Sequence, residues 1–472
     1  MLFNTTDFAI FFCVVLAVYW LVWKWRNMQN LVLLVASGYF YYCFRHSLPV
    51  YLYCVIGAGY LSGILIHSLN ENAKRKAVLV CSIVIIGAGL TYIKYSGLIF
   101  GNIPGLDKWQ ASVLKIVTPI GISYFTFSSI GYITEVYRKT ILPELNFITY
   151  AAYISYFPHI LSGPIPSAEK ILPQFRKNFI PNPMQIEQSV GEIIWGLFKK
   201  MVVADNVVLT VNYVFDRYDD LNGSTLFLGT TLFSLYLYAD FSGYSEIAMG
   251  TSRLLGIELT KNFRMPFFSR NPGEFWRRWH TSLRKWFLDY IYLPMGGKEG
   301  SIVHYILLIL FIFSFSGLWH GANYTFICWG FLNGLYFVPY ILTGTLTRYK
   351  EPVAAGRKLP TVKEFFQVLL TFNLVTISRV FFRSPDIHVA GDFFSKICSQ
   401  GFFQAPLHLV TTNVLWCMPM LAVEWIQREK DYVLEARKMN ISIRLFIFGA
   451  VIVSIWYFHK QMNTTEYYYF KF

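Results

Sequence analysis

The sequence predicts an all-α polytopic membrane protein, and three observations carry that prediction. Of its 472 residues 55% are apolar and only 14% charged, where a soluble domain carries about a quarter. Apolar runs long enough to span a hydrocarbon core of about 30 Å recur along the whole chain. The net charge of +14 is gathered mostly in short gaps between those runs. There it reads as a topology signal, not as a surface for nucleic acid.

The first run, "FAIFFCVVLAVYWLVW" from Phe8 to Trp23, has neither a basic segment before it nor a small-residue cleavage site after it. It is expected to be a retained helix. Lys24 and Arg26 fill the first gap, Lys74, Arg75 and Lys76 the third, Arg138 and Lys139 the fifth. These alternate gaps are expected on the cytoplasmic side with the N-terminus outside; Arg45 in the second gap is the exception. Further spans are expected near 31–44, 48–67, 77–93, 113–137, 147–162, 185–214 and 224–249, then 301–318, 321–345, 362–382, 407–425 and 441–458. The total is roughly eleven to thirteen, some broken or re-entrant. No internal repeat is visible and no polar stretch is long enough to fold alone, so 1–472 reads as a single integral membrane domain. The seven cysteines (13, 43, 54, 81, 328, 398 and 417) show no CxxC and mostly sit in apolar runs, which speaks against disulfides and zinc.

Two stretches interrupt the rhythm. "YFPHILSGPIPSAEKILPQF", Tyr156 to Phe175, carries prolines that no continuous helix accommodates, so the chain bends or re-enters there. "NFRMPFFSRNPGEFWRRWHTSLRKWFLDYIYLPMGG", Asn262 to Gly297, is too charged to span and too aromatic for a plain loop. An advance of about 100° per residue from Phe275 puts Trp276, Trp279, Leu283, Trp286, Phe287 and Tyr290 on one face and Arg277, Arg278, Arg284 and Lys285 opposite. The expectation is one basic amphipathic helix over 272–290 at the membrane interface, started by Asn271, Pro272 and Glu274, with His280 on the border of its faces.

The chemistry centres on "FSGLWHGANYTFICWG", Phe315 to Gly330. From Gly300 to Thr347 there is no Asp, Glu, Lys or Arg, so His320 is a polar ring in an otherwise lipid-compatible run. It reads either as a core histidine packed against Trp319 and Trp329 or as a proton carrier; no metal is expected, since His304 is a poor partner in spacing. A neutral imidazole in a water-poor cavity suits deprotonation of a hydroxyl that attacks an acyl carbonyl. His280 alone reads as an interfacial histidine, and gains weight from "FWRRWH". Arg277 and Arg278 there suit either anionic lipid or the phosphates of an acyl carrier. Asn323 and Asn333 are candidate donors to a developing oxyanion, or else helix-to-helix contacts.

"PGEFWRRWHTSLRKWFLDYIYLPMGG" followed by "GLWHGANYTFICWGFLNGLY" resembles the membrane-bound O-acyltransferase (MBOAT) family. The likeness is to its bacterial branch of alginate O-acetylases and teichoic acid D-alanyl transferases. "YFPHILSGPI", "YADFSGYSEIAMGTSRLLGIELTKNFRMPF" and "VFFRSPD" extend the likeness over most of the chain from about residue 115. The resemblance implies a ring of helices around a thin, funnel-pierced centre, with 110–345 as the motif-bearing core. It implies His320 as the catalytic histidine and His280 as its companion. Trp276, Arg277, Arg278 and Asn323 are expected near the donor, which would be acetyl-CoA or another acyl thioester used as substrate, with no bound cofactor. The aromatic tail 465–472, "TEYYYFKF", resembles a tyrosine followed by Phe-x-Phe in that branch. This implies an acyl relay at Tyr469, although Tyr467 and Tyr468 also stand there; a frayed tail in the headgroup belt is the plainer reading.

The implied activity is transfer of an acyl group, read as acetyl, from the cytoplasmic side to the outer side of a bacterial inner membrane. It serves O-acetylation of a cell-surface polysaccharide, with a separate extracellular or periplasmic transferase as partner. A D-alanyl transferase is the alternative within the family. A transporter or flippase is the alternative outside it, opposed by the missing repeat and an expected lack of intramembrane acids.

Overall fold

The computed structural model describes residues 1–43, 49–100, 121–179, 182–430, 441–461 and 468. It is helical, with no strand among the described residues. Six helices there are long and apolar enough to cross a membrane: Val50–Ser68, Asn72–Ile99, Ile302–His320, Tyr324–Leu342, Val362–Arg383 and His408–Ile426. Thr6–Leu21 and Leu445–Phe458 are shorter apolar helices. Two of the expected spans are broken. The run at 147–162 is a helix over Phe147–Ser155 that stops at Tyr156 before Pro158, as the proline demands. The run at 185–214 is Pro183–Leu197 and Asp205–Asp216 separated by a π-helical turn, Phe198–Ala204.

The chain forms two compact units. The first contains Met1–Ile193 and Ile247–Lys261. Two of its gap cations act as cross-links between elements. Arg75 is buried and donates to the Ile66 carbonyl at 3.1 Å and the Tyr137 carbonyl at 2.8 Å. It thus satisfies C-terminal carbonyls of two helices at once. Arg26 donates to the carbonyls of Gln174 (2.6 Å) and Phe175 (2.7 Å), tying the first gap to the proline-rich stretch. Gly121, at φ 76°, begins Ile122–Tyr137, and a Cβ there would lie 2.1 Å from the Ile160 carbonyl oxygen. Only glycine meets both demands.

The second unit contains Ile194–Glu246 and Asn262–Tyr468. Here the expected lack of intramembrane acids fails. The π turn buries two consecutive lysines. Lys199 pairs with Glu246 at 2.9 Å and Glu424 at 2.6 Å; Lys200 pairs with Asp205 at 2.8 Å and Asp240 at 2.9 Å. Glu424 lies within a membrane-length helix. Each acid is paired with a lysine, two carboxylates to each ammonium group, and such pairing is how charge survives in such a place. Close approach of Gly243 to the Gly196 carbonyl, 2.8 Å from a notional Cβ, lets the Gly223–Leu254 helix reach these lysines.

Candidate active site

The local chemistry begins at Asn271, whose side chain accepts from the Glu274 N–H at 2.7 Å and starts a helix at Pro272. This start is the one the sequence predicts. The continuous helix over 272–290 is not. The chain runs helically over Pro272–Arg278, turns extended at Trp279 and enters left-handed backbone at His280 (φ 45°, ψ 54°). It then resumes over Thr281–Phe287 and ends in a π turn at Leu288–Tyr292. A non-glycine residue at positive φ is strained, by about 1–3 kcal/mol, and persists only where its surroundings impose it. Asn262 supplies the constraint. Its carbonyl oxygen accepts from Thr281 N at 3.0 Å, and its side-chain oxygen accepts from Ser282 N (3.2 Å) and Ser282 Oγ (2.6 Å).

The break aims His280 inward. The ring is 2% exposed, packs against Phe241 at 4.9 Å and Trp319 at 6.1 Å, and neither of its nitrogens has a hydrogen-bond partner among the described residues. Burial pushes its pKa down to about 3, so the ring is neutral near pH 7. His280 lines a cavity of about 230 Å³ together with Trp276, Arg277, Arg284, Tyr292 and Lys298. Arg277 is held by the carbonyls of Leu346 (3.2 Å) and Tyr349 (2.7 Å). Burial and the charge of Arg277 both lower the pKa of Arg284, an electrostatic cost that an anion would relieve. Arg278 points elsewhere, into an ion pair with buried Glu274 at 3.0 Å, and does not line the cavity. The indole N–H of Trp276 has no acceptor among the described residues.

His320 ends the Ile302–His320 helix, which doubles back into Tyr324–Leu335. The two backbones touch at glycines. A Cβ on Gly317 would lie 2.0 Å from the Phe326 carbonyl oxygen, and one on Gly330 2.1 Å from that of Phe313. This approach sets Trp329 against His320 at 5.1 Å, with Trp319 at 4.8 Å and Phe382 at 5.2 Å completing the cage. Trp319 therefore packs on both histidine rings, and His320 sits behind it, outside the cavity lining. Asn323 caps the returning helix, accepting from Thr325 N and donating to the Pro385 carbonyl at 2.6 Å. Asn333 donates to the Trp329 carbonyl (2.7 Å) and Ser378 Oγ (3.1 Å), the helix-to-helix use. Tyr469 lies outside the described residues.

Sequence reasoning passed over Asn262, Lys298 and Arg379. The last is buried in the Val362–Arg383 helix with its guanidinium 4.6 Å from the Trp279 ring, a cation–π contact that holds the break from the far side. Asn262 lies within the stretch "LTKNFRMPF", but its role is visible only once Thr281 and Ser282 are seen against it. Replacing Asn262 with alanine strips two hydrogen bonds from the break and is expected to cost about 1–3 kcal/mol. It should also lower turnover more than it weakens donor binding, measured as kcat against KM alongside the thermal midpoint.

Membrane-length helices and a cavity whose wall carries His280 beside Arg277, Arg284 and Lys298 define an integral membrane protein with a basic internal site. The comparisons make this specific. The profile of the membrane-bound O-acyltransferase family matches residues 108–376. The chain is 32% identical over 413 residues to a probable alginate O-acetylase of Pseudomonas aeruginosa, covering 86% of this chain and 76% of that protein. It is 30% identical over 388 residues to a peptidoglycan O-acetyltransferase of Helicobacter pylori, covering 76% and 71% respectively. It is 29% identical over 291 residues to a teichoic acid D-alanyltransferase of Streptococcus thermophilus, covering 56% and 68%. The protein belongs to the membrane-bound O-acyltransferase family. It is an O-acyltransferase, a multi-pass protein of the bacterial inner membrane that uses an acyl donor as substrate.

Proposed function

We propose that the enzyme takes an acetyl group from cytoplasmic acetyl-CoA and delivers it to the outer side of the membrane for O-acetylation of a cell-surface polysaccharide. The observation that carries this reading is the cavity wall in which His280 stands with Arg277, Arg284 and Lys298. Guanidinium and ammonium groups suit the phosphates of the donor, while the apolar interior takes its pantetheine arm. Trp276 offers its N–H to the thioester carbonyl. His320 acts as general base on an attacking hydroxyl: the oxygen forms the new C–O bond, the C–S bond breaks, and the thiolate leaves and takes up a proton as free CoA. The hydroxyl is assigned to Tyr469, whose acyl ester then passes to a separate extracellular or periplasmic transferase and on to the sugar.

The longer match to O-acetylases, 86% of the chain against 56% for the D-alanyl transferase, favours acetyl. Purified protein given radiolabelled acetyl-CoA is expected to release CoA and become labelled, with the label lost in Tyr469→Phe. A wild type that stays unlabelled with acetyl-CoA but is labelled by a D-alanyl carrier protein would replace acetyl by D-alanyl. Full labelling of Tyr469→Phe would remove the relay.

A further inference from the structure

The carboxylate of Asp240, fully buried on the Gly223–Leu254 helix, is divided between two partners. Its Oδ1 faces Lys200 Nζ at 2.9 Å, and Lys200 in turn meets Asp205 at 2.8 Å. Its Oδ2 accepts the backbone N–H of Tyr468 at 2.7 Å. The Tyr468 ring is itself buried, against Phe233 at 5.5 Å, Tyr236 at 5.8 Å and Phe382 at 6.4 Å. Phe382 is the same ring that packs on His320 at 5.2 Å. The dock for the chain end and the cage of the catalytic candidate share a wall.

We propose that Asp240 is a positioning residue that fixes the chain register at Tyr468, whose ring rests on the same Phe382 that packs on His320. The inference deepens the relay reading and rests on it. Chain ends ordinarily fray, and burying a carboxylate is costly unless every oxygen is used. The Asp240 oxygen committed to the main-chain amide of Tyr468 fixes that residue's backbone in the interior. A charge-assisted bond to an amide holds one residue regardless of its side chain, and so sets where the next one stands; a slip of one residue displaces it by about 3.3 Å. Among three consecutive tyrosines, Tyr467, Tyr468 and Tyr469, this is what distinguishes them. The middle one is held with its ring buried, which leaves the relay to a flanking tyrosine, Tyr469 in the relay proposed.

The test uses the full-length protein in lipid nanodiscs, comparing wild type with Asp240→Asn. Hydrogen exchange of the terminal peptide is expected to show one slow amide in wild type that exchanges at least ten-fold faster in the variant. Single-turnover labelling by radiolabelled acetyl-CoA is expected to slow at least ten-fold, with KM for acetyl-CoA unchanged. Should Asp240→Asn fail to fold because Lys200 loses a partner, Tyr468→Pro removes the amide hydrogen without touching the lysine pairs, and its loss of labelling rate is expected to exceed that of Tyr468→Ala, which removes the ring alone. A slow amide retained in Asp240→Asn, or unchanged labelling in either variant, overturns the positioning role. Tyr469→Phe reports separately on the relay: if it labels fully the relay reading falls, while the exchange result still decides whether Asp240 docks the tail.

Discussion

Replacing His320 with alanine is expected to lower acyl transfer by about 10²–10⁴-fold, the usual span for loss of a general base, with little change in KM for the thioester. The asymmetry follows from position. His320 is caged by Trp319, Trp329 and Phe382 and does not line the cavity, so its loss removes no part of the wall proposed to hold the donor. His280 does line it, and His280→Ala is expected to raise KM as well as lower kcat. The measurement is initial rate of CoA release against acetyl-CoA concentration for wild type and each variant, with size-exclusion profiles to show that all three are folded. A His320 variant with half of the wild-type rate would refute the base assignment and revive a transport reading, in which substrate passage tolerates loss of a single ring. Equal behaviour of the two variants would place both histidines in binding.

What the sequence made legible follows local chemistry closely. His320 stood out because the run around it is otherwise free of charge, and the helix start at Asn271 followed from the capping residue and the proline after it. The amphipathic helix over 272–290 failed for a tertiary reason. Trp279 and His280 fit a helical period, but Asn262 and Arg379, from remote elements, hold the chain in extended and left-handed backbone there. Periodicity reports which residues face one way in a regular helix and is blind to a break imposed from outside it. The buried acids were misjudged similarly. Asp240, Glu246 and Glu424 are visible in the sequence, yet their tolerance in the interior depends on Lys199 and Lys200, which lie at least forty positions away. Adjacent lysines ordinarily point about 100° apart on a helix; the π turn that lets both find buried acids has no composition signal.

The glycine hairpin gives the largest structural effect. Gly330→Val should abolish the folded enzyme or leave it inactive, because the new Cβ would lie 2.1 Å from the Phe313 carbonyl oxygen, a backbone atom of the opposing helix that cannot swing aside. Overpacking in a close-packed interior costs about 1–3 kcal/mol when side chains yield. Here two helices must separate, so the cost lies at or beyond the upper end. Separation would carry Trp329 away from His320 and open the cage on one side, which predicts that any protein surviving purification has lost at least ten-fold in turnover. Gly391→Ala is the matched control: it also lies within a helix, Ile387–Ile397, but a Cβ there meets nothing within 4 Å. It is expected to keep the wild-type melting temperature or gain slightly, since alanine is the better helix former by about 1 kcal/mol. The comparison is read from thermal midpoints and CoA-release rates in the same detergent. If Gly330→Val matched the control in both, the two helices would not be packed backbone to backbone, and the placement of Trp329 against His320 would have to come from its ring contacts with Phe382 and Trp276.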